Sequence, residues 1–169
     1  PLDRAKVART ALEGVEIAAA KRGIRLSLEA PGSLPFMGDA GEMEIICNNL
    51  ISNGVKYNRD GGFLRVTLRC EGELVTLAVE DGGIGLTTDE STKLFGEFVR
   101  IKNADTRDIP GSGLGLSIVR KLATLYGGEA RVQSEKGVGS TFTVTLKSQE
   151  MTDVSSTDEV KGTSNRKES

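Results

Sequence analysis

The stretch GDAGEMEIICNNLISNGVKYN, Gly38 to Asn58, decides how the rest of the chain is read. Asp39 and Glu42 have the spacing of a capping box, so a helix is expected from Asp39 to about Tyr57. At about 100° per residue, Met43, Ile46, Cys47, Leu50 and Gly54 share one apolar stripe. Asn49, Asn53 and Lys56 line up along its edge with Tyr57 nearby, half inside the protein. An amide there must find a partner or cost about 1 to 3 kcal/mol. Asparagine offers a hard cation a neutral oxygen without adding negative charge beside phosphates, and lysine supplies a point charge to the same place. The set suits a magnesium triphosphate. Taken alone, the same residues also fit a helix surface whose polar groups are satisfied by water or backbone.

Outward from this helix the pattern alternates between periods. Leu2 to about Arg22 reads as one amphipathic helix, with Val7, Leu12, Val15 and Ala18 or Ala19 inward and Gly23 as its stop. Ile24, Leu26 and Leu28 read as a strand that Pro31 and Pro35 end. A turn at 60–62 leads into Phe63 to Cys70, where Leu64, Val66, Leu68 and Cys70 face one way, and a hairpin returns through Val75, Leu77 and Val79. Thr88 to about Phe98 can hold a short helix, 99–112 is a polar loop, and Leu114 to Tyr126 is helical up to Gly127-Gly128. Glu129 to Glu135 and Ser140 to Lys147 form a last hairpin. The expected class is α+β: a two-layer sandwich with a mixed, mostly antiparallel sheet covered on one face by about three helices. Residues 1–147 are expected to form the domain and 148–169 a disordered polar tail or linker.

Bulk composition excludes more than it selects. The chain has 169 residues, enough for one core, and starts Pro-Leu-Asp without a signal peptide, so it reads as a piece of a larger parent. With 37% hydrophobic and 27% charged residues, its apolar runs are too short to cross a bilayer. A cytoplasmic location is expected, any membrane anchor belonging to the parent. A net charge of -2 argues against nucleic acid as a partner. Cys47 and Cys70 have no metal or redox spacing and are expected to be plain core thiols. The absence of histidine removes Ser-His-Asp and Cys-His triads, histidine-ligated zinc and any phosphohistidine within the chain.

Two glycine clusters add to the asparagine helix. EDGGIGL, 80–86, sets Asp81 at the end of a buried strand and loosens the backbone at Gly82, Gly83 and Gly85, so that a flat ligand could approach. GSGLGLSIV, 111–119, sets Gly111, Gly113 and Gly115 before a helix whose free N–H groups attract phosphate. Neither is a Walker loop, and each alone is only a tight turn or a helix start.

Together with LFGEFVRI (94–101), GSGLGLSIVRKLATLYGG (111–128) and GVGSTFTVTL (137–146), these segments resemble the ATP-binding catalytic domain of sensor histidine kinases, over about Leu2 to Lys147. That superfamily includes gyrase B, heat-shock chaperones and mismatch-repair ATPases. The resemblance implies the Bergerat ATP-binding fold, with ATP and Mg2+ as cofactors. It implies that Asn53 holds Mg2+, that Asn49 supports metal and phosphates, that Lys56 contacts phosphate and that Tyr57 packs against the nucleotide. Asp81 would accept the adenine amino group, with Ser140 or Thr141 completing that contact. Gly83, Gly85, Phe98, Gly111, Gly113, Leu114, Gly115 and Leu116 would line the nucleotide. Phe95 and Phe98 match the phenylalanine box, and 99–112 a lid over ATP. Arg100 matches an arginine that approaches the γ-phosphate; Lys102 and Arg107 are weaker candidates.

Asn49, Lys56 and Arg100 are thus the residues implied to act on the transferring phosphate. Asn49 stands where ATPase relatives carry a glutamate base, which implies slow hydrolysis and transfer to an outside nucleophile. That nucleophile would be a histidine on a dimerisation domain of the same parent, a homodimer serving a downstream response regulator, while the isolated domain would be monomeric. A serine kinase of the anti-sigma-factor type and a non-catalytic nucleotide sensor are the alternatives. Gly54 and Gly82 depart from the family's commoner Ala and Asn.

Overall fold

The computed structural model describes residues 2–30, 35–36, 38–94 and 115–148. Within them the chain forms β1 (Leu2–Asp3), α1 (Arg4–Glu13), α2 (Glu16–Lys21), β2 (Arg25–Glu29), β3 (Pro35–Phe36), α3 (Ala40–Lys56), β4 (Phe63–Glu71), β5 (Leu74–Asp81), α4 (Thr88–Lys93), α5 (Gly115–Leu125), β6 (Glu129–Glu135) and β7 (Gly139–Lys147).

Period-2 alternation builds the sheet. Leu64, Val66 and Leu68 of β4, Val75, Leu77 and Val79 of β5, and Phe142, Val144 and Leu146 of β7 are all buried. The registers Val66↔Val79 and Val79↔Phe142 bring them onto one face. That face packs against α1, α3 and α5 through Ala8, Leu12, Ile46, Leu50, Ile51, Val119 and Ala123. Each such Leu, Ile or Val contributes about 1.5–3 kcal/mol by leaving water. The other face carries Arg65, Thr67, Thr76, Glu80, Arg131, Thr143 and Thr145, so the sandwich has two layers and one polar side.

The strand order is β2-β4-β5-β7-β6. β2 runs parallel to β4, a pairing that needs a crossover, which α3 supplies; the other pairs are antiparallel. The fold is the mixed, mostly antiparallel α+β sandwich expected. A two-stranded ribbon of β1 and β3 was not foreseen, because two-residue strands leave no periodicity to read.

Three local expectations need correction. The single helix from Leu2 to Arg22 is two helices, because the chain breaks at Gly14 and Val15, where the Val15 N–H turns back to Leu12 O at 3.1 Å. Gly14 is the residue with the largest backbone entropy to lose in a helix. The break buries Ala19 and leaves Ala18 exposed. Cys47 is a core thiol whose pKa burial pushes up to about 12, but Cys70 is exposed near the end of β4, beyond the last β2 pairing at Thr67, with its sulfur 3.9 Å from the Arg4 guanidinium. The capping box at Asp39 is only half made. Its carboxylate accepts the Glu42 N–H at 2.9 Å, while its own N–H donates to the hydroxyl of Tyr126, just past α5, at 2.9 Å.

Helix ends follow backbone chemistry closely. Gly23 has φ 66°, and the Ile24 N–H returns to Ala19 O at 2.9 Å, a Schellman close with Ile24 and Ala19 both buried. The end of α3 is capped from outside. The Arg22 guanidinium donates to Val55 O at 2.6 Å and Asn58 O at 2.5 Å, and pairs with Asp60 at 2.9 Å. Gly127 and Gly128 close α5 where the sequence places the stop.

Candidate functional site

Asp81 takes the inward position that a fourth apolar residue would occupy after Val75, Val79 and Leu77, opposite Leu64 on one side and Ser140 on the other. It is only 6% exposed. Its carboxylate accepts the Gly83 N–H at 2.9 Å and the backbone N–H of Ser140. Burial nevertheless pushes its pKa up to about 6; the two N–H groups pull the other way and Glu80 adds to the rise. The protein fills two of a carboxylate's roughly four acceptor positions, which leaves capacity for a ligand's N–H.

The glycines after Asp81 are close-approach points. At Gly83 a side chain would run into the Tyr57 carbonyl, and at Gly85, with φ 66°, into the Glu135 carbonyl. Between them, the Ile84 N–H donates to Tyr57 O at 3.1 Å and the Gly137 N–H donates to Ile84 O at 2.7 Å. The loop is thus pinned between the end of α3 and the β6–β7 turn. The Ser140 hydroxyl lies 2.6 Å from the Ser134 hydroxyl, which in turn accepts the Leu86 N–H at 2.7 Å. Thr141 pairs with Glu80 and Gln133, and strand alternation puts it on the polar face of the sheet. Of the two hydroxyl candidates, the structure brings Ser140 to Asp81 and turns Thr141 away.

The four asparagines of α3 and its end separate by position. Asn48 is exposed. Asn58 is buried and structural: its amide donates to Gly54 O and Phe63 O, both at 2.9 Å, and its oxygen accepts the Arg59 N–H. Asn49 and Asn53 lie half-buried along the edge of the helix. The Asn49 amide donates to Ile45 O at 2.7 Å, and its oxygen rests against Gly115 at the start of α5. The Asn53 amide has no hydrogen-bond partner among the described residues, and Lys56, exposed one turn on, has no ion pair among them. Tyr57 is half-buried beside the glycine loop, to which its carbonyl is bonded.

Asn49 thus meets Gly115, next to Leu116, where α3 passes the start of α5; Tyr57, Gly83, Gly85, Asp81 and Ser140 gather beyond the C-terminal end of α3, with Asn53 and Lys56 on the helix between. Phe95, Phe98, Arg100, Lys102, Arg107, Gly111, Gly113, Leu114 and the tail from residue 149 lie outside the described residues. Among the described residues no three His, Cys, Asp or Glu side chains converge. A cation here would draw on amide and phosphate oxygens and water, and the amide of Asn53, without a partner among the described residues, fits a magnesium that keeps most of its water shell. A shallow cavity of about 510 Å³, lined by Gly127, Glu129, Arg131, Thr143 and Thr145 among others, lies on the polar side of the sheet and contains none of these groups.

Sequence reasoning missed Arg22, Asn58 and Arg59. Arg59 donates to Gly83 O at 2.8 Å and Gly137 O at 2.6 Å. No local pattern marks Arg22 or Arg59, whose partners are distant backbone carbonyls, and Asn58 reads like the other asparagines of the run.

Residues 38–150 match the family described as "Histidine kinase-, DNA gyrase B-, and HSP90-like ATPase". The chain is 34% identical over 131 residues to the sensor-like histidine kinase SenX3 of Mycolicibacterium smegmatis, covering 78% of this chain and 34% of SenX3. It is 39% identical over 134 residues to the aerobic respiration control sensor protein ArcB of Escherichia coli, covering 76% of this chain and 17% of ArcB. Among solved structures, the mycobacterial sensor histidine kinase MprB superposes with a TM-score of 0.73 at 26% identity, covering 89% of this chain and 97% of that one. Full-length ShkA in complex with AMPPNP superposes at 0.76 and 28% identity, covering 88% of this chain and 31% of ShkA. The chain thus spans a minor part of the curated relatives it matches, and no helix among its described residues is long and apolar enough to cross a membrane. By the family match over residues 38–150, which takes in both glycine-rich segments, the amide edge of α3 and the buried Asp81, the chain belongs to the histidine kinase-, DNA gyrase B- and HSP90-like ATPases.

Proposed function

We propose that this domain binds Mg-ATP and donates the γ-phosphoryl group to a histidine on a separate dimerisation domain of its parent, for onward passage to a response regulator. The observation that carries the reading is Asp81. A buried carboxylate held by two backbone N–H groups accepts an adenine amino group and repels the guanine carbonyl, where two acceptors would meet. The relative ShkA, solved with AMPPNP, supports an adenine nucleotide as the ligand of this fold.

Asn53 would hold Mg2+ through its side-chain oxygen, and Asn49 would support metal and phosphates. Lys56 would contact the phosphates and Tyr57 would pack on the nucleotide, with Gly115 and Leu116 at the start of α5. Magnesium supplies charge neutralisation on the phosphates. The amide of Asn49 cannot take a proton from water as a carboxylate could, so hydrolysis is slow and the domain acts by holding and orienting. The bond formed is from the histidine nitrogen to γ-phosphorus, the bond broken is the β,γ-bridging P–O bond, and ADP departs with its electrons. Arg100, Phe98, Gly111, Gly113 and Leu114 complete the proposed site from outside the described residues.

The test mixes this chain with a histidine-bearing dimerisation domain, Mg2+ and ATP labelled at the γ-phosphate. Acid-labile, base-stable label on the histidine domain is expected. Intact ATP binding without such label would reject phosphotransfer and leave a nucleotide sensor.

A further inference from the structure

Arg59 leaves the end of α3 from a fixed platform. Its own N–H is bonded to the Asn58 oxygen at 2.9 Å, Asn58 is buried, and Asn58 O is held by Arg22. From there the guanidinium reaches two carbonyls far apart in sequence, Gly83 O at 2.8 Å and Gly137 O at 2.6 Å. These belong to the loop after Asp81 and to the β6–β7 turn.

The peptide joining Gly83 to Ile84 is planar, so its two polar ends point in opposite directions. Arg59 holds the carbonyl end, and Tyr57 O holds the N–H end at 3.1 Å. Only the two torsions of Gly83 separate this peptide from the preceding one, whose N–H holds the Asp81 carboxylate at 2.9 Å. Glycine is the residue least able to fix those torsions itself. The next peptide is tied as well, through the Gly137 N–H on Ile84 O, and Arg59 closes that turn from its other side.

We propose that Arg59 is a positioning residue of the base-binding end of the site: by bridging the Gly83 and Gly137 carbonyls it holds the glycine loop so that the Gly83 N–H orients the Asp81 carboxylate toward the ligand. The proposal rests on the adenine-nucleotide reading above. Both bonds leave one guanidinium nitrogen, Nη2, whose two N–H groups are fixed in the guanidinium plane, a geometry that a freely rotating and strongly hydrated ammonium does not hold. Arg59 itself stays on the surface, with its guanidinium on backbone carbonyls, so it acts on selectivity more than on folding.

The test measures ADP by calorimetry and GDP by competition against it, on the full 169-residue chain, in Mg2+, for wild type, Arg59→Met and Arg59→Lys. Thermal melting reports whether each variant is folded. Arg59→Met is expected to weaken ADP about tenfold, the scale of one charge-assisted hydrogen bond, with GDP unchanged, so the preference for adenine shrinks by the same factor. Arg59→Lys is expected to fall between, and it decides the question should the Met variant not fold. ADP binding by wild type with an unaltered ADP-to-GDP ratio in the variants overturns the role of Arg59 alone. Equal weakening of both nucleotides overturns it too, as a merely structural effect. No ADP binding by wild type overturns the nucleotide reading and this inference with it.

Discussion

The side-chain oxygen of Asn49 abuts Gly115 so closely that no β-carbon fits between them. The contact joins the middle of α3 to the first turn of α5, the two helices that carry the phosphate end of the proposed site. It gives glycine at 115 a reason in the space its side chain would need.

Gly115→Ala follows directly. Asn49 is half-buried and its side chain is held by one bond among the described residues, to Ile45 O, so its amide can swing aside. The stability change should therefore stay at the low end of the about 1–3 kcal/mol typical of overpacking. The displaced amide can no longer serve phosphate or metal, and ATP affinity should drop about tenfold. Adding Asn49→Ala should restore the melting temperature without restoring affinity. Calorimetry paired with thermal melting checks both, and unchanged affinity in Gly115→Ala would remove Asn49 from the site.

Asp81 makes a prediction with a sign. Its pKa rises from 3.8 to about 6 on folding because burial disfavours the charge. Between those values the native state binds more protons than the unfolded chain, so the contribution of Asp81 to stability is fully present below about pH 4 and is lost as pH rises through 6. At neutral pH the ionised group costs about 3 kcal/mol. Asp81→Asn should thus raise the melting temperature of the ligand-free protein by several degrees at pH 7.5, with a gap that closes toward pH 4. The same variant should lose ATP, because the Asn amide would face the adenine amino group donor to donor. A melting difference independent of pH would refute the assignment of the charge to this site.

Much of this was readable in the chain. Leu64, Val66 and Leu68 against Arg65 and Thr67 state both the strand and its buried side, and the same alternation makes Asp81 an anomaly at an inward position. Residues whose role depends on distant partners were not readable. Cys70 continues the alternation of β4 yet is exposed, because periodicity records which face a residue is on and not where the neighbouring strand stops, and β2 pairs with β4 only as far as Thr67. Tyr126 displaces half a capping box that looks complete locally. Arg22 and Arg59, polar and on no apolar stripe, bind backbone carbonyls across the fold. Thr141 is different: the alternation of Phe142, Val144 and Leu146 already places it on the outer face and Ser140 on the inner one.

The two departures from the family pattern are packed differently, and their reversal should differ in outcome. At Gly54 a β-carbon would collide with a terminal methyl of Leu64, which is fully buried and enclosed by core. At Gly82 it would meet the Phe63 ring at 2.8 Å, but Phe63 is half-buried on the polar face and can turn outward. Gly54→Ala gains about 1 kcal/mol of helix propensity and loses about 1–3 kcal/mol to overpacking, so it should be neutral to destabilising, with recovery on adding Leu64→Val. Gly82→Asn should leave stability nearly unchanged. Urea denaturation of the four proteins decides it, and a clear stabilisation by Gly54→Ala alone would contradict the packing seen around Leu64.

Asn53 offers the last prediction, read through metal removal. Its amide is half-buried, without a hydrogen-bond partner among the described residues, and set one helical turn from both Asn49 and Lys56. An oxygen left in that state suits a hard cation, which one neutral ligand plus phosphates and water can hold. If Asn53 carries the ion, chelation with EDTA should weaken ATP about tenfold or more in wild type, and much less in Asn53→Ala, because that variant has already lost the metal-dependent part of its affinity. Asn53→Asp should bind the ion more tightly while placing a second negative charge beside the phosphates, so its ATP affinity should depend more steeply on Mg2+ concentration than that of wild type. Titrations of ATP at fixed and at chelated Mg2+ read all three proteins. Equal EDTA sensitivity in wild type and Asn53→Ala would move the metal to another ligand.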